Sequence, residues 1–121
     1  MLRSGVDLIE IKRIRRAVER YHEHFLVRVF TAGELALCAG RSETLAGRFA
    51  AKEAVAKALG TGIWRHNITW TDIEVLRGEA GEPLLALHNA AAQRADHLDI
   101  HEWSISISHD RKRVVAFAVA L

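Results

Sequence analysis

Residues 45–63, LAGRFAAKEAVAKALGTGI, constrain the fold of this chain more than any other stretch. The many alanines favour a helix, and Gly60 and Gly62 are expected to end it. Apolar and small residues occur all round the helical wheel, which predicts a helix that is buried on most sides. The charged residues of the stretch are Arg48, Lys52, Glu53 and Lys57. Because charges are rare on a buried helix, their placement bears on both fold and function.

Length and composition indicate a single globular domain. The 121 residues contain no proline-, serine- or glycine-rich break, so residues 1–121 are expected to form one domain. The one cysteine, Cys38, excludes an internal disulfide framework and a cysteine-based zinc site. The first residues lack the apolar run of a signal peptide, and no segment approaches membrane-spanning length. We therefore expect a reduced, cytoplasmic setting and no membrane partner.

The segments before the long helix predict one strand and two helices. Branched residues around Asp7 predict a strand over residues 2–11, which runs into a helix over residues 12–29. Thr31 as N-cap and Glu34 as the acid of a capping box predict a short helix over residues 32–39.

The segments after the long helix predict an α+β fold. Strands are expected over residues 68–76 and 84–87, a helix over residues 89–98, and a hairpin whose strands alternate over residues 103–108 and 114–121. Residues 64–67 form an exposed loop in this interpretation. Strands at both chain ends with helices between them predict a largely antiparallel sheet packed against the long central helix.

One stripe of the predicted helix carries an unusual charged pair. Phe49, Glu53, Lys57 and Gly60 share this stripe at 100° per residue. The simplest interpretation is an exposed Glu53–Lys57 bridge at i,i+4 spacing, and the functional one is a cation held by Glu53 beside a phosphate bound by Lys57. Arg48 lies about 140° round the wheel from Glu53. If both residues contact substrate, they serve different copies of the site, which requires an oligomer.

Three other positions each allow a structural and a functional interpretation. Asp7, an acid within an apolar strand, either pairs with a base or joins Glu53 as a second magnesium ligand. His109 is a surface histidine or a phosphate donor at a strand end, and adjacent Ser108 points to the opposite face, which argues against a nucleophilic pair. Gly60 either caps the helix or lets the backbone approach a ligand.

A basic cluster occupies the first half of the helix predicted over residues 12–29. Its members are Lys12, Arg13, Arg15, Arg16 and Arg20. Cations at the start of a helix oppose the helix dipole, so a partner is one explanation and a solvated face the other. The net charge is only +2, so an acidic protein or a nucleic acid would have to be attracted by this local cluster.

Several motifs together resemble the holo-acyl-carrier-protein synthase family of phosphopantetheinyl transferases. They are GVDLIEIKRI at residues 5–14, FTAGEL at 30–35, GRFAAKEAVAKALGTGI at 47–63, WTDIEV at 70–75, GEP at 81–83 and SISISH at 104–109. The motifs occur in the family's order and span almost the whole chain. Residues 39–44 and 64–67 depart from the family's pattern, and carrier preference could reside in either.

The resemblance implies the phosphopantetheinyl transferase fold and a magnesium-dependent transfer from coenzyme A. The phosphopantetheine arm would pass to a serine of an apo-acyl carrier protein, with release of adenosine 3',5'-bisphosphate. Asp7 and Glu53 would be the magnesium ligands, and Glu53 would be the base for the serine, directly or through a metal-bound water. Lys57 would bind a coenzyme A phosphate, with Gly60 also among the residues near this ligand. A noncatalytic module that binds coenzyme A or a nucleotide is the alternative.

The resemblance also implies an assembly and a docking site. Arg48, Ser108 and His109 would bind the nucleotide phosphates from a neighbouring subunit of a homotrimer, with the active sites at subunit interfaces. Arg13, and more weakly Arg20, would dock the acidic carrier protein. This role explains the basic cluster without a nucleic acid partner.

Overall fold

The structure is a computed structural model that describes residues 1–121. Its elements, in chain order, are β1 (Arg3–Glu10), α1 (Ile11–Tyr21), α2 (Glu23–Val29), α3 (Ala32–Cys38), α4 (Ser42–Ala58), β2 (Ile73–Arg77), β3 (Pro83–Leu87), α5 (Asn89–His97), β4 (Trp103–His109) and β5 (Arg113–Ala120). Two 3-10 turns, Arg65–Asn67 and Trp70–Asp72, lie between α4 and β2. None of the helices combines the length and the hydropathy that a membrane-spanning segment needs.

The strands form two antiparallel sheets, so the predicted α+β fold is confirmed. A three-stranded sheet has the order β1-β5-β4, and β2 pairs with β3 in a two-stranded sheet. The chain ends therefore meet in one sheet, with β5 between β1 and β4. The prediction placed all strands in one largely antiparallel sheet, whereas the short hairpin β2–β3 is separate because it packs beside α3 and α4.

Helix α4 packs against one face of the three-stranded sheet. Eleven of its 17 residues are buried, as the alanine-rich pattern predicts. Strand β1 approaches this helix so closely that a Cβ atom on Gly5 would overlap the carbonyl oxygen of Ala54. The opposing strand β5 presents small residues, Ala116, Ala118 and Ala120, to the same side. Small residues on both elements therefore set the short distance between helix and sheet.

A fully buried ion pair joins α4 to α3. Lys52 Nζ lies 2.6 Å from Glu34 Oε1 and donates to the carbonyl oxygens of Trp70, at 3.0 Å, and Ile73, at 2.5 Å. The second carboxylate oxygen of Glu34 accepts from Val75 N at 2.9 Å. Thr31 and Glu34 also form the predicted capping box of α3. All polar atoms of the pair have partners, as a buried ion pair requires.

Three predicted boundaries were wrong. The helix predicted over residues 12–29 is two helices, because His22 adopts φ 49° and ψ −128° and redirects the chain so that Phe25 packs edge-on against Phe30. The long helix begins at Ser42 and not at residue 45, whereas its end at Ala58, before the left-handed Gly60, agrees with the predicted glycine stop. The strand predicted over residues 68–76 begins only at Ile73, because Trp70–Asp72 forms a 3-10 turn.

Candidate active site

Asp7, Glu53 and Lys57 come together where β1 crosses α4. Asp7 pairs with Ala116 in the sheet and therefore points to the face that α4 covers. Lys57 Nζ lies 3.4 Å from Asp7 Oδ1 and donates to the carbonyl oxygen of Val6 at 2.9 Å. The simple interpretation of Lys57 as the partner of Glu53 was wrong, because the structure pairs it with Asp7.

The environment of Glu53 disfavours its charged form. Partial burial raises the pKa of the Glu53 carboxyl, and the negative charge of Asp7 raises it further. The ammonium of Lys57 opposes this effect and lowers the pKa of Glu53. The two carboxylates are therefore close enough to repel each other, so a nearby cation would favour the charged form of Glu53.

This pair of carboxylates suits a magnesium ion. Magnesium prefers few protein carboxylates and completes its coordination with waters and phosphate oxygens. Asp7 is mostly buried and Glu53 is partly buried, so both carboxylates sit at the edge of the protein, where a phosphate ligand can reach them. A divalent cation would also relieve the repulsion that raises the pKa of Glu53.

Gly60 closes the end of α4 close to two arginines. Its φ is +78°, and its N–H donates to the carbonyl oxygen of Lys57. Arg3 Nε and Arg94 Nε donate to the carbonyl oxygens of Ala58, at 2.6 Å, and Leu59, at 3.1 Å. A Cβ atom on Gly60 would lie 2.9 Å from Arg3 Nη2. The capping role of Gly60 is thus confirmed, and its role at a ligand stays a prediction.

Ser108 and His109 lie at the end of β4 and face opposite sides of the sheet. Ser108 pairs with Val115 on the face that α4 does not cover, away from Asp7. His109 borders a cleft between the β4–β5 turn and the first turns of α1 and α4, with Arg15 and Glu43 on its walls. The single chain therefore does not join Ser108 to the Asp7–Glu53 cluster, and both nucleotide-binding roles stay predictions.

Arg48 lies on the β2 side of α4. Its Nε donates to the carbonyl oxygen of Val75 at 3.3 Å, and only 8% of the residue is exposed. Burial is the main cause that lowers the pKa of its guanidinium. Arg48 and Glu53 thus serve different sides of the helix, as the wheel predicts, and the role of Arg48 in another subunit's site stays a prediction.

The predicted docking residues lie on α1, and one of them faces a basic groove that the sequence analysis missed. Arg13 lines a groove of about 510 Å³ together with Lys112 of the β4–β5 turn and Arg113, the first residue of β5. The run DRKR directly after His109 was the available indication of this second group of cations. Arg20 lies in the last turn of α1, and its guanidinium carbon is 5.3 Å from the centre of the Tyr21 ring.

Comparisons with a family model and with individual known proteins agree on one family. The model of the 4'-phosphopantetheinyl transferase superfamily matches residues 3–118. The holo-[acyl-carrier-protein] synthase of Herpetosiphon aurantiacus is 47% identical over 126 residues, with 100% of this chain and 99% of the relative covered.

Solved structures agree with this match. The holo-[acyl-carrier-protein] synthase of Helicobacter pylori in complex with coenzyme A has a TM-score of 0.89 at 35% identity, with 98% of this chain and 99% of that chain covered. The Bacillus anthracis synthase, in complex with CoA (3',5'-ADP), has a TM-score of 0.77 at 34% identity and covers 98% and 94%. The chain belongs to the holo-[acyl-carrier-protein] synthase family of the 4'-phosphopantetheinyl transferase superfamily.

Proposed function

We propose that this chain transfers the 4'-phosphopantetheine arm of coenzyme A to a serine of an apo-acyl carrier protein. The observation that carries the proposal is the Asp7–Glu53–Lys57 cluster, two carboxylates and one ammonium held between β1 and α4. Relatives of 47% identity are holo-[acyl-carrier-protein] synthases, and similar structures contain coenzyme A. Family membership and the cluster therefore support the same reaction.

The proposed reaction forms one phosphorus–oxygen bond, breaks another and transfers one proton. The serine oxygen of the carrier attacks the phosphorus that bears the pantetheine arm, and the bond from this phosphorus to the bridging oxygen breaks. Adenosine 3',5'-bisphosphate leaves with the electron pair of that bond. Glu53 takes the serine proton, directly or through a bound water, because it is the carboxylate of the cluster that is not paired with Lys57.

The other two residues of the cluster bind and orient. Lys57 is half exposed and held only by Val6 O and Asp7, so its ammonium can turn to a phosphate of coenzyme A. Asp7 and Glu53 would hold a magnesium ion through their carboxylate oxygens. When bound, magnesium supplies positive charge that stabilises the leaving phosphate.

An exposed apolar sheet face supports the proposed homotrimer. Val6, Leu8, Val115 and Phe117 lie on the face of the three-stranded sheet that α4 does not cover, with exposures of 50%, 62%, 36% and 44%. Contiguous apolar surface of this kind is typical of a subunit interface. Ser108 borders the same face, so packing of copies there would bring Ser108 to a subunit boundary, as an interfacial site requires.

The proposed partner and location follow from the same family assignment. The carrier protein is proposed to dock on α1 at Arg13, with Arg20 at the far end of the same helix. The cations at Lys112 and Arg113 extend this basic surface beside Arg13. An acidic carrier complements such a surface. The chain is proposed to act in the cytoplasm.

Incubation of the protein with coenzyme A, magnesium and an apo-carrier tests the proposal. Intact-mass analysis should show the carrier gaining one phosphopantetheine group, and chelation of magnesium should prevent the gain. Glu53→Gln should abolish the gain while the protein stays folded, and Glu79→Gln, on the exposed β2–β3 turn, is the matched control. Carriers that remain unmodified while coenzyme A binds would favour the noncatalytic module instead.

A further inference from the structure

A second exposed surface is formed by α2 and the loop that follows α4. Its residues are His24, Val27, Arg28, Trp64, Arg65 and His66, and it is termed the α2–loop surface below. None of them belongs to the Asp7–Glu53–Lys57 cluster or to the open face of the three-stranded sheet. The surface is therefore free for a role of its own.

The loop presents a tryptophan to solvent in a strained backbone conformation. Trp64, His66 and Asn67 all have left-handed φ values, of 77°, 54° and 63°. Bulky residues rarely adopt this conformation, and such strain persists where surrounding contacts hold it. Trp64 N donates to Ile68 O at 2.7 Å, and the Arg28 guanidinium lies 5.0 Å from the centre of the Trp64 ring. Trp64 is nevertheless 54% exposed.

The composition of the α2–loop surface predicts the chemistry of its partner. Val27 is 63% exposed and stands beside Arg28, so apolar and cationic groups alternate there. Glu23 is the nearby acid on α2, and no residue of the surface is in an ion pair. Tryptophan and arginine are the residues that most often dominate binding energy at interfaces. An acidic protein with apolar residues between its carboxylates complements this surface.

The α2–loop surface is tied to the helix that carries the active-site residues. The N–H of Gly60 donates to Lys57 O, and the N–H groups of Thr61 and Gly62 both donate to Ala56 O. These bonds fix the start of the loop to the last turn of α4, one turn beyond Glu53. A protein seated on Trp64 is thereby held at the same end of α4 as Lys57.

We propose that the α2–loop surface docks the apo-acyl carrier protein, with Trp64 as the residue that determines which carriers are accepted. The proposal rests on the proposed transfer function. It adds an aromatic and cationic surface on α2 and the loop to the basic residues of α1. A carrier would then be held by charge along α1 and selected by apolar contact at Trp64.

Binding of an apo-carrier whose acceptor serine is replaced by alanine tests this proposal. Trp64→Ala should weaken carrier binding about tenfold or more, the effect of truncating an aromatic residue at the centre of an interface. With an unaltered carrier, the KM for the carrier should rise by a similar factor while the KM for coenzyme A stays unchanged. Trp64→Phe should restore most of the binding. Leu84→Ala, an exposed apolar residue on β3, is the matched control and should bind the carrier like the unaltered protein.

The substitution Arg28→Glu tests the α2–loop surface independently of Trp64. Arg28 is an exposed helical residue, so its replacement leaves the core intact. It should weaken carrier binding, and more so at low salt. Binding within twofold of the unaltered protein for both Trp64→Ala and Arg28→Glu would overturn the proposal. A change in oligomeric state on Trp64→Ala would also overturn it, because a second copy would then occupy the surface. If the unaltered protein modifies no carrier at all, the transfer function itself fails, which is a different result.

Discussion

The buried Lys52–Glu34 pair should dominate the response of this protein to substitution. Lys52 and Glu34 are fully shielded from solvent, and their charged atoms are 2.6 Å apart. Glu34→Gln leaves the ammonium buried without a negative partner, among neutral acceptors such as the carbonyl oxygens of Trp70 and Ile73. Removing one partner of a buried pair costs about 3–5 kcal/mol, because the remaining charge is uncompensated. For a chain of this length, that loss lowers Tm by about 12–20 °C.

The pH dependence of Glu34→Gln follows from the direction of the pKa shift. Burial lowers the pKa of Lys52, and the charge of Glu34 opposes that shift in the unaltered protein. Without Glu34 the pKa of Lys52 falls further, so the unfolded state binds more protons than the folded state. The free energy of unfolding of the variant therefore rises with pH, and the stability that the variant has lost relative to the unaltered protein should become smaller between neutral and alkaline pH.

Urea unfolding of a double-mutant cycle measures the coupling within this pair. The proteins are the unaltered chain, Glu34→Gln, Lys52→Met and the double variant, all at one protein concentration because assembly affects stability. The double variant should be more stable than Glu34→Gln, and its loss of stability should be smaller than the sum of the two single losses, because the second change removes the orphaned charge. If the two single variants lower the free energy of unfolding additively, or if Glu34→Gln lowers it by less than about 1 kcal/mol, the pair is not the buried unit described above.

Three further substitutions test other parts of the structure. Gly5→Ala should lower the free energy of unfolding by about 2–3 kcal/mol or more in urea, because its Cβ overlaps Ala54 O, and a loss below about 0.5 kcal/mol would refute the close packing. In the absence of metal and above the raised pKa of Glu53, Glu53→Gln should have a higher free energy of unfolding than the unaltered protein, because the folded state disfavours the carboxylate. This advantage should disappear in acid, where Glu53 is protonated in both states. A difference that does not change with pH would contradict the assigned environment of Glu53. Phe117→Glu should convert a trimer to a monomer in sedimentation, whereas an unchanged trimer would exclude the open sheet face as the interface.

Patterns within one short stretch of sequence correctly predicted the elements that the same stretch forms. The alanine run predicted α4, the serine–isoleucine alternation predicted the β4–β5 hairpin, and Thr31 with Glu34 predicted the capping box. The break at His22 was missed because the apolar spacing continues on both sides of it. What redirects the chain there is the packing of Phe25 on Phe30, a tertiary contact.

The site was only partly predictable for the same reason. Asp7 and Glu53 are far apart in sequence, so their proximity depends on β1 crossing α4. Residue chemistry left a shared cation site as one of two alternatives for Asp7, and the family motifs favoured it. Helical spacing offered Glu53 as the partner of Lys57, but the side chain reaches the adjacent strand instead. Lys52 and Glu53 are neighbours with opposite fates, one buried in a structural ion pair and one facing the site. The sequence spacing of acids and bases does not distinguish these roles.

The most direct test of the central claim is the rate of carrier modification in a double-mutant cycle on Asp7 and Glu53. These two carboxylates are proposed to act as one unit in the transfer. The rate is measured by intact-mass analysis of the carrier with the enzyme in excess. Asp7→Asn and Glu53→Gln should each abolish most of this rate, and the double variant should be about as slow as the slower single variant. A double variant whose fold-loss in rate equals the product of the two single fold-losses would show that Asp7 and Glu53 act independently, and would contradict their proposed joint action.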